Sequence, residues 1–139
     1  LRCKWNEKQF TEADFYRLCR RCKIVVVEIP LRTKGFYYCV KGKHYIAINS
    51  RLQGFEKLFV MFHEFAHYLF HVPDTNTTAN FSDVGRRTRK EVESDTFAFC
   101  ALIPKIWVET KTLRELIEDE FLPEEMVWKR KEIYEKYKI

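Results

Sequence analysis

The sequence predicts an α+β fold, in which a small antiparallel or mixed sheet packs against one largely buried helix, with further helices around it. Three observations predict it. The β-branched run Ile24-Val25-Val26-Val27, stopped by Pro30, reads as a buried or half-buried strand. Gly35-Phe36-Tyr37-Tyr38-Cys39-Val40 and His44-Tyr45-Ile46-Ala47-Ile48 flank the short Gly-containing connection Lys41-Gly42-Lys43, as the arms of a hairpin do. Between 55 and 70, Leu58, Phe59, Met61, Phe62, Phe65, Ala66, Leu69 and Phe70 cover so much of a helical surface that this helix must be central.

In chain order, Thr11 stands as an N-cap ahead of Glu12 and Asp14, and Phe15, Leu18 and Cys19 or Cys22 recur at helical spacing, giving a helix over 11–22. A strand follows over 23–29, then the hairpin, whose connection suits a bulge or a three-residue loop. Asn49-Ser50 ends the sheet. After the central helix, Pro73, Asp74, Asn76, Asn80, Ser82, Asp83 and Gly85 favour a loop over 71–85, long enough to border a functional site. Helical periodicity resumes over 88–102 and stops before Pro104, and two more helices are predicted over 107–119 and 122–137. There is no internal repeat, low-complexity tract or linker.

A chain of 139 residues fits a single domain over 1–139, and 46% hydrophobic residues supply enough side chain for one real core. The net charge of +5 favours acidic partners but falls well short of a nucleic-acid signature. The odd set Cys3, Cys19, Cys22, Cys39 and Cys100 lacks the spacing of a secreted disulfide framework, which points to a reducing cytoplasm. No apolar run approaches the roughly 18 residues a membrane span needs, and charged residues stand where a signal peptide would be apolar, so a soluble protein is expected.

The chemistry concentrates in His63-Glu64-Phe65-Ala66-His67. Residues four apart on a helix lie about 40° apart around its axis, so His63 and His67 can aim two imidazoles at one ion. Glu64 cannot easily join them, but it can reach an attacking water and take its proton. The bland alternative is three polar residues on a solvated face, a pattern that arises in roughly one chain in a hundred. The apolar neighbours Phe62, Phe65, Ala66, Leu69 and Phe70 count against it, because they desolvate the two His, and buried polar groups need partners.

A catalytic zinc usually takes three protein ligands and keeps a fourth position for water. His71 lies about 12 Å along the axis from His63, too far to share the ion, and is given a helix-terminal role. Glu91 and Asp95, four apart on the next helix, share a face. Glu91 then supplies an oxygen ligand, and Asp95 accepts the second ring N–H of a zinc-bound His. Glu93 points about 160° away and is the weaker candidate. An acidic first turn that merely complements the helix dipole is the competing reading, and the small residues Ser94, Ala98 and Ala101, which would let the two helices approach closely, oppose it.

His63-Glu64-Phe65-Ala66-His67-Tyr68-Leu69-Phe70-His71, then Glu91-Val92-Glu93-Ser94-Asp95-Thr96-Phe97-Ala98 and Leu102-Ile103-Pro104, resemble the ImmA/IrrE-type metallopeptidase family over about residues 35–105. The resemblance implies a zincin-like metallopeptidase domain holding zinc (Zn2+) by His63, His67 and Glu91, with Glu64 catalytic and Asp95 behind the ligands. It further implies a cytoplasmic endopeptidase of bacteria or their mobile elements whose substrate is a helix-turn-helix repressor. Phe65-Ala66 replaces the family's more typical apolar-Gly pair, Ser94 stands for Ala and Ile103 for Met; none of these touches a proposed ligand. No helix-turn-helix is evident here, so the repressor would be a separate chain.

The chemistry expected is hydrolysis in which zinc acidifies water and polarises the scissile carbonyl while Glu64 carries the proton to the leaving amine. The strand over 44–48 is expected to offer its edge to an extended substrate, a pairing that Ile46→Pro would break. The lone Cys19-Arg20-Arg21-Cys22 is weak ground for a structural metal, and Arg86, Arg87, Arg89 and Lys90 read as a solvated helix start. Two rival functions are a catalytically silent regulator that sequesters a repressor, and a DNA-binding module motivated only by charge; neither explains the His and Glu spacing as well.

Overall fold

The structure is a computed structural model and describes residues 3–71, 79–81 and 88–139, with 79–81 as backbone alone. Helix α1 (Glu12–Arg21) starts where Thr11 and Asp14 form a capping box: the Asp14 amide donates to Thr11 Oγ1 at 3.2 Å, and the Thr11 amide donates to Asp14 Oδ2 at 2.8 Å. Strands β1 (Ile24–Ile29), β2 (Gly35–Val40) and β3 (Lys43–Asn49) lead into α2 (Gly54–Phe70). Then come β4 (Ala79–Phe81), α3 (Arg89–Leu102), α4 (Lys105–Thr110), a π-helical turn (Glu115–Asp119) and α5 (Glu124–Tyr137).

The sheet is mixed, in the order β1-β3-β2-β4. β1 runs parallel to β3 with Ile24 opposite His44, and the other neighbours are antiparallel. The expected edge strand is therefore an inner one. β3 has β1 on one side and β2 on the other, because the connection after β1 carries the chain past one strand position that β3 then fills. Ile46, Ala47 and Ile48 are buried in succession. Ile46→Pro would break the sheet and says nothing about substrate pairing.

Three other expectations change. Val40 pairs with Lys43, so the hairpin connection is two residues, not three. Lys41 and Gly42 both hold positive φ (49° and 78°), the backbone a type I′ turn needs to match the strand twist. The 71–85 loop contains β4, which adds to β2; its other residues beyond His71 lie outside the described ones. The helix predicted over 107–119 breaks at extended Lys111. There Thr112 and Glu115 form a second box, with Thr112 N to Glu115 Oε1 at 2.9 Å and Glu115 N to Thr112 Oγ1 at 3.1 Å.

Helix α2 lies between β2 and β3 on one side and α3 on the other. Its contact with α3 is close because Ser94, Ala98 and Ala101 are fully buried. Lys57 of α2 ties three elements together, reaching Glu12 of α1 at 2.8 Å and Glu28 of β1 at 2.9 Å. Arg130 of α5, fully buried, donates to the Ile103 carbonyl at 2.6 Å and to Asn6 Oδ1 at 3.1 Å, clamping the end of α3. All five cysteines are unbridged, and among the described residues no helix is long and apolar enough to cross a membrane.

Gly35 sets how closely the sheet approaches α2. A Cβ there would stand 2.7 Å from the Ala47 carbonyl oxygen and 2.9 Å from Val60 Cγ1. The first of these is backbone and cannot swing away, so Gly35→Ala must push β2 off β3. We expect a loss of about 1–3 kcal/mol, the usual cost of overpacking, read as a lower urea midpoint with an unchanged m-value. A variant as stable as the parent would show that the strand can shift at no cost.

Candidate metal centre

From Val60 to His67 every residue of α2 is buried. Apolar members of that stretch face the core, and three polar ones are buried with them: His63 at 6% exposure, Glu64 at 0% and His67 at 2%. Such groups survive burial only with partners. The His63 and His67 rings lie one turn apart, with centroids 4.9 Å apart and planes at 80°.

Their partners come from the first two turns of α3. The Thr88 hydroxyl caps that helix by accepting from the Glu91 amide at 3.2 Å, which fixes where the Glu91 side chain starts. One Glu91 oxygen then lies 2.9 Å from His63 Nε2 and the other 3.0 Å from His67 Nε2. Across the ring, His63 Nδ1 lies 2.8 Å from Asp95 Oδ1. Glu64 is close enough to His63 for its charge to favour the imidazolium.

His63, His67 and Glu91 thus bring one ligand atom each to within 4.8 Å of one another, a group that could hold a metal ion. Two imidazole nitrogens and one carboxylate oxygen are a catalytic zinc donor set, and donors about 2 Å from a tetrahedral ion stand roughly 3.3 Å apart, close to the 2.9 and 3.0 Å that separate the two nitrogens from the Glu91 oxygens. The residues present fit the group.

The structure also brings to His67 two residues that the sequence reading left outside the site. Ser94 Oγ lies 3.3 Å from His67 Nδ1, and His71 Nδ1 lies 3.1 Å from the same atom. His71 does occupy the helix C-cap, its amide donating to the His67 carbonyl at 2.8 Å, but its ring turns inward. Its four-residue spacing from His67 was the available signal. Cys19 is buried, and Cys22 half-buried, away from the one cluster of metal-binding character among the described residues. Arg89 is exposed; Arg86 and Arg87 lie outside the described residues.

With that geometry in place, the comparison with known proteins decides the family. The model of the IrrE N-terminal-like domain, a metallopeptidase type, matches residues 19–133. The chain belongs to this family. The matched span takes in α2, α3 and every residue of the cluster. An IrrE-type domain is also related to "Uncharacterized immunity region protein 2" of Bacillus phage phi105, at 35% identity over 108 residues, which is 73% of this chain and 65% of that protein. The chain therefore spans less than two thirds of that relative. No solved structure matches it significantly.

Electrostatics of this IrrE-type centre set a pH signature. Burial pushes the Glu91 carboxyl up, but the bonds from His63 and His67 outweigh it and hold its pKa at about 2. Burial pulls His63 down, and the bonds to Asp95 and Glu91 outweigh that and lift it to about 10. Burial, and then neighbouring His67, hold His71 below its ordinary value.

In chelator-treated domain the Glu91 contribution to stability is present above its ordinary 4.5 and lost as pH falls towards 2. The His63 contribution is complete below its ordinary 6.5 and lost as pH rises through 10. The metal-free domain should melt highest between these two ordinary values and weaken on both sides. Thermal melts from about pH 3 to about pH 9 read this directly, and a Tm that is flat above pH 6.5 would contradict it.

Proposed function

We propose that this domain is a zinc-dependent endopeptidase that hydrolyses a peptide bond in a protein substrate, a helix-turn-helix repressor encoded as a separate chain. The convergence of His63 Nε2 and His67 Nε2 on the Glu91 carboxylate, at 2.9 and 3.0 Å, carries this reading. The family supports the peptidase class, and the immunity-region name of the phage relative supports a repressor as substrate.

In this reading His63, His67 and Glu91 hold the zinc, which when bound supplies Lewis acidity to the scissile carbonyl and to water. Glu64 accepts a proton from the attacking water and returns it to the leaving amine nitrogen, so the nucleophile is never a protein atom. Asp95 accepts from His63 Nδ1–H, which fixes the ring so that the Nε2 lone pair faces the ligand cluster. The buried setting of α2 strengthens each of these interactions by excluding water.

The test is to incubate purified, zinc-loaded protein with the repressor of its own immunity region and follow the products by mass spectrometry, with and without chelator. A new cut that chelator abolishes is the expected result. A repressor that stays intact beside fully loaded protein would favour the regulator that binds without cleaving.

A further inference from the structure

His63 and His67 offer inward nitrogens to the same carboxylate, yet their outward nitrogens meet different surroundings. His63 Nδ1 has Asp95 Oδ1 at 2.8 Å. His67 Nδ1 has the ring of His71 at 3.1 Å and the Ser94 hydroxyl at 3.3 Å, and His71 Nε2 in turn lies 3.6 Å from Glu93 Oε1. We propose that His71 is a positioning residue for His67, a neutral imidazole that accepts the outward N–H of a buried ligand, with the Glu93 carboxylate 3.6 Å beyond it. The proposal rests on the metal-site reading of His63, His67 and Glu91.

One tautomer pattern joins the two rings. If the Nε2 lone pair of His67 faces the cluster, its Nδ1 carries the hydrogen and must donate. His71 Nδ1 then accepts, which leaves the His71 hydrogen on Nε2, the atom that faces Glu93. No proton has to move, and no charge is placed in the interior. His71 is buried at 9% exposure, whereas the Glu93 side chain is 47% exposed and lies 3.7 Å from Arg89 Nε, so the chain begins at a solvated ion pair and ends at a buried ring.

Helical geometry explains why an intermediary is used. His63, His67 and His71 are successive four-residue steps along α2, and the His67 and His71 rings pack with centroids 5.2 Å apart. On α3, Glu91 spans the first two of these steps and Asp95 faces the first. Glu93, about 160° round the helix from both, comes within 3.6 Å of His71 Nε2 and contacts no ligand. An imidazole has nitrogens on opposite sides of its ring, so it can accept on one and donate on the other. Asp95 therefore holds His63 directly, and His71 holds His67, with the Glu93 carboxylate 3.6 Å from its far nitrogen.

The experiment measures zinc affinity by competition with a chromophoric chelator, and the visible absorption of the cobalt-substituted protein, for His71→Ala, His71→Gln and Glu93→Gln. His71→Ala should weaken zinc binding by about tenfold to a hundredfold and shift the cobalt bands. Glu93→Gln, which keeps an acceptor without the charge, should lose less. His71→Gln, whose amide oxygen can accept from His67 Nδ1–H, should recover most of both readouts. If His71→Ala melts lower but keeps parental affinity and bands, His71 is only a helix end and the proposal is overturned, as it is if His71→Gln behaves like His71→Ala. Parental protein that takes up neither metal would instead remove the metal-site reading, and this proposal with it.

Discussion

Glu64→Gln protein should keep its zinc and its fold while its kcat falls by about 10²- to 10⁴-fold, the contribution of a positioned general base. Glutamine fills the volume of a side chain that is fully buried, so packing is retained, but it cannot accept the proton of an attacking water. The substitution also removes a charge that favours the His63 imidazolium, so the metal-free variant should lose its stability at a lower alkaline pH than the parent. Three measurements separate the outcomes: metal content, Tm and the rate of repressor cleavage. Loaded, folded and inactive protein is the expected combination. A variant that still relieves repression in cells at the parental level would mean that proteolysis is not the biological activity, and the silent-regulator reading would replace the peptidase.

Zinc content should drop from about one ion per chain in the parent to none detectable in His67→Ala, by elemental analysis of protein purified without chelator. The loss exceeds that from any partner behind the ligands. On the proposed ligand set two ligands remain where three are needed, and the Glu91 oxygen that lies 3.0 Å from His67 Nε2 loses its partner. Asp95→Asn removes only the hold on His63 Nδ1 and should cost about tenfold to a hundredfold in affinity. If well-folded His67→Ala retained a full zinc, the ligand set would have to be drawn elsewhere; if the parent held none, the site would be a proton-bridged cluster.

Much of the helical framework was legible because each element carried its own local signal. Thr11 with Asp14 marks a start, the periodicity resuming at Thr88 marks another, and Pro104 marks a stop. The break after α4 was equally local, since Thr112 and Glu115 stand at capping-box spacing, and the periodicity across it hid the signal. The hairpin turn was misjudged by one residue because Lys43 can end a loop or begin a strand, and only its pairing with Val40 chooses.

The same division runs through the site. His63 and His67 are joined by four-residue spacing on one helix with Glu64 beside them, and Glu91 with Asp95 by the same spacing on another, so composition and period pick them out as candidates. Spacing within a helix cannot say how two helices cross. That crossing, made close by Ser94, Ala98 and Ala101, decides that Glu91 meets both His at once and that Ser94 and His71 stand beside His67. Strand order is non-local for a similar reason. The apolar run of β3 marks it as a strand, but its place between β1 and β2 follows from a parallel pairing across distant residues. Sequence alone determined which residues could carry the chemistry; tertiary packing decided their partners, because hydrogen bonds between elements depend on distances that no single element encodes.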